Sequence, residues 1–211
     1  MKNKILIISL ALSLILTACA SESPQSSGTK RINKNIPIVQ IDADTAVNVK
    51  ELNELENNSQ LIVKGVLHDD GKVKFAEEGG TVLFGITVSS LEITETYKGN
   101  LSKGDIVKLG EAYYTTTEDG ADKLYCFGNY RPSEIGKEYL FFLKNPPSPD
   151  GWWAGIYEPV VGEKGRYPFI QADQKSALSS ESFTNEELNL GDDDSSEYKD
   201  LFNQVIKKYM Q

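Results

Sequence analysis

Residues that carry chemistry are scarce in this chain. Of 211 residues, two are cysteine, two are tryptophan and one is histidine. The single histidine, His68, excludes a histidine-rich zinc site, and Cys126 alone builds no thiolate cluster. Any Ser-His-Asp or Cys-His mechanism would have to run through His68. That residue ends an apolar run and is followed by Asp69-Asp70-Gly71, a turn sequence, so it reads as an exposed turn residue. No GxxxxGK[ST] loop occurs and no GxGxxG opens a helix, so the glycines of "EEGGTVLFG" cradle no phosphate. No apolar run reaches the roughly 20 residues that a membrane-crossing helix needs. Basic residues are outnumbered 22 to 31 by acidic ones, for a net charge of −9. That balance argues against nucleic acid as a partner, because phosphate binding needs a basic footprint.

Acidic residues are plentiful, but no pair stands apart as the two carboxylates of a glycosidase. The run "GDDDSSE" sets Asp192, Asp194 and Ser196 at the alternate spacing of a calcium loop. Its sixth position is Glu197 where glycine is needed, and its twelfth is Asn203 where a bidentate glutamate belongs. The run reads better as a helix cap. No metal and no cofactor are expected.

The first residues read as an address. Lys2 and Lys4 precede a short apolar run from Ile5 to Leu16, and small residues follow before Cys19. The pattern reads as a secretory signal over residues 1–18. Leu16-Thr17-Ala18-Cys19 resembles the lipobox of bacterial lipoproteins. The resemblance implies cleavage before Cys19, a diacylglyceryl group on its sulfur and acylation, such as palmitate, of its amine. Two acyl chains anchor stably where one is marginal. Residues 19–40 then read as a lipidated flexible tether, rich in Ser, Asn and Lys and without apolar period. The expected address is the outer, extracytoplasmic face of the cell membrane. Without Lys2 and Lys4 the count is 20 basic against 31 acidic residues, a net −11. An acidic body does not hug anionic headgroups, so the lipid has to hold it.

Residues 41–211 are long enough for one domain with a real core. Residues 42–60 predict a short helix capped by Asp44 or Thr45. Strand patterns follow at 61–68 and 81–97. In the second, apolar residues fall on even positions up to Val88 and on odd ones from Leu91. The switch predicts a bulge near Ser89-Ser90 that bends the strand, with Gly85 easing the curvature. Glu118-Asp119-Gly120 signals a hairpin between "DIVKLGEAYYTTT" and "KLYCFGNY". "GKEYLFFLKN" reads as a central strand, and "WWAGIYEPVVG" as one more hairpin arm. Tyr198, Leu201, Phe202, Val205, Ile206 and Tyr209 share one face of a terminal helix. Asp194 and Glu197 have capping-box spacing. The expected fold is mainly β: a small OB-like antiparallel barrel, a short N-terminal helix and an amphipathic C-terminal helix packed on it.

The order "LIVKGVL", "LEITETYKGNLSKGDIV", "GKEYLFFL" resembles an OB-type barrel of the netrin or metalloproteinase-inhibitor kind. Inhibitors of that kind use a free N-terminal cysteine on a protease's zinc. Here Cys19 would be alkylated and far from the barrel, so the resemblance implies fold and not inhibition.

Aromatic residues are the remaining lead to a site. Trp152, Trp153, Tyr157, Tyr113 and Tyr114 are candidate ligand-binding residues, with Arg131 as a polar anchor. Adjacent tryptophans on a strand face opposite sides, so one of the pair is expected at the surface. Three functions stay open: a non-enzymatic protein binding a protein or an envelope component, a carboxylate-dependent cell-wall hydrolase, and a saccharide-binding module.

Overall fold

The computed structural model describes residues 36–42, 48–145, 150–169 and 179–210. The signal segment, Cys19, the tether to residue 35 and the proposed caps Asp44 and Thr45 lie outside the described residues. In chain order come β1 (Ile38–Ile41), α1 (Leu52–Asn57), β2 (Leu61–Leu67), β3 (Lys72–Glu78), β4 (Thr81–Lys98) and β5 (Ile106–Glu111). Then follow β6 (Tyr113–Glu118), β7 (Ala121–Phe127), β8 (Glu138–Lys144), β9 (Ile156–Pro159), β10 (Arg166–Pro168) and α2 (Ser196–Tyr209).

Five of these strands, β2, β4, β5, β9 and β8, pair in that order, and β8 returns to β2. The result is the mainly β, OB-like barrel expected, closed so that no barrel strand is an edge. One pair departs from antiparallel: β5 and β9 run parallel over Lys108↔Ile156 and Leu109↔Tyr157.

Strand β8 explains the architecture. Its residues Tyr139 to Leu143 are all buried. Odd positions Tyr139, Phe141 and Leu143 join Val63, Leu91, Ile93 and Leu109 inside the barrel. Even positions Leu140 and Phe142 face outward, under α2, with Tyr167, Leu201, Phe202 and Val205. A strand covered on both faces reads as a continuous apolar run, and "YLFFL" is one. Helix α2 buries Tyr198, Leu201, Phe202 and Val205 of the expected stripe, and Ile206 and Tyr209 pack half-buried beside them. Each such side chain contributes roughly 1.5–3 kcal/mol by burial.

Details at element ends depart from the sequence pattern. The capping box of α2 does not close. Asp194 instead accepts from the Ser196 N–H at 2.9 Å, while Glu197 is drawn to Lys164 Nζ at 2.7 Å. Among the described residues of the span 42–60, helix forms at Leu52–Asn57, where the Glu54 carboxylate accepts the Lys50 and Glu51 N–H groups. Strand β1 takes in Ile38 to Gln40 from the stretch assigned to the tether.

The bulge expected at Ser89-Ser90 is absent. Pairing of β4 with β5 is continuous from Thr87 to Glu92. The apolar phase switches because β4 changes neighbours. Thr81 to Ile86 pair with β3 alone, as an arm outside the barrel, whereas Leu91 and Ile93 line the barrel interior. Two stretches of one strand thus bury opposite faces. Register shifts occur elsewhere, at Leu83 against β3 and at Thr94 and Tyr97 against β2.

Candidate functional site

Two small structures flank the barrel. The β3–β4 arm is one. The other is a three-stranded sheet in the order β1-β7-β6, with β6 and β7 antiparallel and β1 parallel to β7. Asp119 and Gly120 make the hairpin turn with φ of 51° and 78°, the left-handed pair that a two-residue connection requires.

The arm is clamped from both sides by aromatic rings. Cross-strand partners share a face, so Lys74, Ala76, Phe84 and Ile86 lie on one side and Phe75 and Gly85 on the other. On the first side stands Trp152, edge-on to Phe84 at 5.0 Å. Its indole N–H donates to the Phe75 carbonyl at 2.7 Å, and Lys74 Nζ donates to the Trp152 carbonyl. On the second side stands Tyr114, edge-on to Phe75 at 5.7 Å. A Cβ on Gly85 would sit 2.8 Å from Tyr114 Cγ, so the glycine serves this close approach rather than curvature.

One face of the small sheet belongs to the core. Tyr113, Leu124 and Cys126 are buried there with Tyr130. Burial pushes the Cys126 thiol up to about 11, which keeps it protonated and unreactive. The other face carries Val39, Ile41, Tyr114, Thr116, Tyr125 and Phe127, all half-buried. Tyr114 and Tyr125 are directly paired and stack at 5.0 Å with planes 5° apart. Phe127 leans on Tyr114 at 6.2 Å. Glu118 accepts from the Tyr125 hydroxyl at 2.6 Å and from Lys123 at 2.7 Å, which holds its carboxylate below the usual range. The same hydrogen bond to Glu118 pushes the Tyr125 phenol up to about 12. This face therefore offers apolar area, one neutralised ion pair and tyrosine rings that use a face on each other.

The six candidate residues do not converge. Trp152 and Trp153 lie in a turn before β9, not on a strand, so they do not point to opposite sides of a sheet. Their rings meet edge to face at 4.6 Å, and both are half-buried. Trp153 reaches over Gly110, where a Cβ would meet it at 3.4 Å. Tyr113 is buried at 7 % exposure and is not a surface residue. Tyr157 packs on the barrel interior cluster. Arg131 donates to the Tyr130 carbonyl at 2.8 Å and to Gln40 Oε1 at 3.4 Å, away from the tryptophans. Tyr114 alone of the six lies on the half-open face. Its neighbours there from β1, Val39 and Ile41, carry no sequence signal beyond a short alternation.

A buried ion pair is the second feature that the sequence does not announce. Glu111 and Arg166 are 1 % and 0 % exposed, 3.7 Å apart. Glu111 also accepts from Tyr130 Oη at 2.7 Å and Ser133 Oγ at 2.6 Å. Arg166 donates to the carbonyls of Arg131 and Asn189, at 2.6 and 2.7 Å, and lies over the Tyr130 ring. The pair ties barrel, loop and C-terminal segment together. His68 is half-exposed and bonds Glu92 at 3.0 Å, as a surface pair. Among the described residues no group of three His, Cys, Asp or Glu side chains could hold a metal ion.

Compared with family models, curated proteins and solved structures, the chain matches none of them.

Proposed function

We propose that this chain is a lipoprotein, held on the outer face of the cell membrane through Cys19, whose domain binds a polypeptide partner without catalysing a reaction. The observation that carries the binding role is the half-open face of the small sheet. Apolar and aromatic side chains are gathered there, and burial of such surface is what drives most protein association. The engaged rings favour polypeptide over saccharide. Stacking on a sugar needs a free ring face, while Tyr114 and Tyr125 spend one face each on the other, Phe75 and Phe127 crowd Tyr114, and Lys74 Nζ lies 5.3 Å over the Trp152 ring. The lipobox resemblance supports the anchor, and the barrel's strand order is in keeping with kinship to netrin-like modules at the level of fold.

A photo-crosslinking residue at Tyr125, introduced in the native host, tests the reading. It should trap one protein partner, and the same residue at Ile106, which is 58 % exposed on the barrel, should not. Fluorescence quenching by envelope glycans with no protein adduct would favour the saccharide module instead. Intact-mass measurement of the membrane-extracted protein should show a chain that starts at a lipidated Cys19. A retained leader or a bare thiol there would remove the anchor.

A further inference from the structure

We infer that the edge of β7 now covered by β1 is a strand-accepting site for the partner: an extended segment, parallel to β7, with branched apolar side chains at alternate positions. This rests on the polypeptide-binding reading and names how the partner is held.

β1 is four residues long and shallowly seated. Its burial alternates between exposed and half-buried, and Ile38 is 52 % exposed. Backbone bonds fasten its two ends, from the Leu124 N–H to the Pro37 carbonyl at 3.0 Å and from the Gly128 N–H to the Ile41 carbonyl at 2.8 Å. Few buried apolar contacts and short pairing place a segment at the low-stability end of a fold. What it covers is different in kind. β7 carries Leu124 and Cys126, which are 3 % and 0 % exposed. An uncovered β7 would present a row of unpaired backbone groups beside them. A hairpin left to itself is marginal, and a third strand adds to what β6 and β7 gain by packing on Tyr130. Nothing about a parallel third strand requires that it come from the same chain, because no tight turn links it to β7.

The present occupant describes the chemistry of the one that replaces it. Val39 and Ile41 pair with Tyr125 and Phe127 and complete the half-open face. Ile36 is half-buried against the cluster of Tyr113, Leu124, Cys126 and Tyr130. Between them Gln40 donates to Asp193 and accepts from Arg131. The site thus takes apolar, then polar, then apolar residues, with backbone hydrogen bonds for affinity and alternate side chains for selection, as in strand addition to a sheet edge.

A clasp variant tests this. Gln40 and Cys126 are direct partners in the parallel register. Neighbouring strands lie about 4.8 Å apart, within the roughly 4.4–6.8 Å that disulfides span. In a full-length chain with Cys19→Ser, Gln40→Cys should close a bond to Cys126 on oxidation and fix β1 in place. The probe is a fluorescein-labelled peptide of residues 36–42, IPIVQID, followed by anisotropy. It should bind the reduced variant and lose at least about tenfold in affinity on oxidation. A peptide with Val39→Asp and Ile41→Asp should not bind. Equal binding in both redox states, or none to the reduced form at millimolar peptide, overturns the proposal. Failure of the Q40C chain to close the bond overturns the pairing on which it stands. A dimer by light scattering without peptide would assign the edge to a second copy and overturn the partner. The photo-crosslinker at Tyr125 separates the two readings. Adducts undiminished in the oxidised clasp leave the aromatic face standing and sink strand exchange, whereas no adduct in either state sinks both.

Discussion

The barrel and the small sheet solve the same problem in opposite ways. Every barrel strand has a neighbour on each side, and β8 is buried on both faces. The small sheet has two outer strands, one core face and one half-open face. A closed sheet leaves no backbone group to satisfy and nothing to offer, while an open one needs cover and can exchange it. Stability and binding are thereby divided between two parts of one short chain.

The sharpest way to break this division is at the buried ion pair, which belongs to the barrel side. Arg166→Ala leaves the Glu111 charge in a dry site and should destabilise the protein by about 3–5 kcal/mol. Urea unfolding measures it. Glu111→Leu with Arg166→Met should lose less than the single change, since no charge is left unpaired. A single change that costs nothing would mean that the barrel does not depend on the pair.

Leu201→Ala acts next. The residue is fully buried between α2 and β8, and removing such a side chain costs about 2–5 kcal/mol. Thermal melting should show one transition at lower temperature, with protection of β8 and α2 amides lost together.

Gly85→Ala tests the junction between the two regions. Its Cβ would stand 2.8 Å from Tyr114 Cγ and 3.0 Å from Phe75 Cδ1, and overpacking of this kind costs about 1–3 kcal/mol. Hydrogen exchange should quicken in β3, β6 and β7 while Phe141 and Phe142 keep their protection. Equal loss in β8 would show that barrel and small sheet open as one unit.

The barrel was legible in the sequence because its rules are local. Alternation marks β2 and β4, a continuous apolar run marks β8, and Tyr198, Leu201, Phe202 and Val205 sit at helical spacing. The small sheet was half legible. Asp119-Gly120 marks its hairpin, but β1 is four residues long and its partner β7 begins 83 positions later in the chain, counted from Ile38 to Ala121. A parallel pairing at that separation leaves no turn to read. Trp152 and Trp153 misled because adjacency means opposite faces only on a strand, and theirs is a turn. Of the candidate site, Tyr114 and the hairpin were readable. That Tyr125 stacks on it, and that Phe75 meets it edge-on from another hairpin, depends on a register and a docking that no short pattern encodes.

The smallest expected effect concerns Cys126 and separates the regions by pH. Its thiol is raised to about 11 by burial, against a weaker opposing pull from Arg131. An ordinary thiol titrates near about 8.5. A group whose pKa is higher in the folded state gives its full stabilisation below the unfolded value and loses it as pH rises. Between about pH 8.5 and pH 10 the unfolded chain ionises first, and stability should fall by roughly 1.5 kcal/mol on this account. Cys126→Ala removes that slope, so the difference between the two urea curves across the window isolates it from the tyrosines. The thiol also reports motion. If β1 lifts from β7 while the barrel stays closed, alkylation of Cys126 at pH 9 proceeds without global unfolding and is unchanged by mild urea. Alkylation that tracks the urea dependence of global unfolding would instead bind β1 to the barrel's fate, and the contrast between closed and exchangeable sheet would disappear.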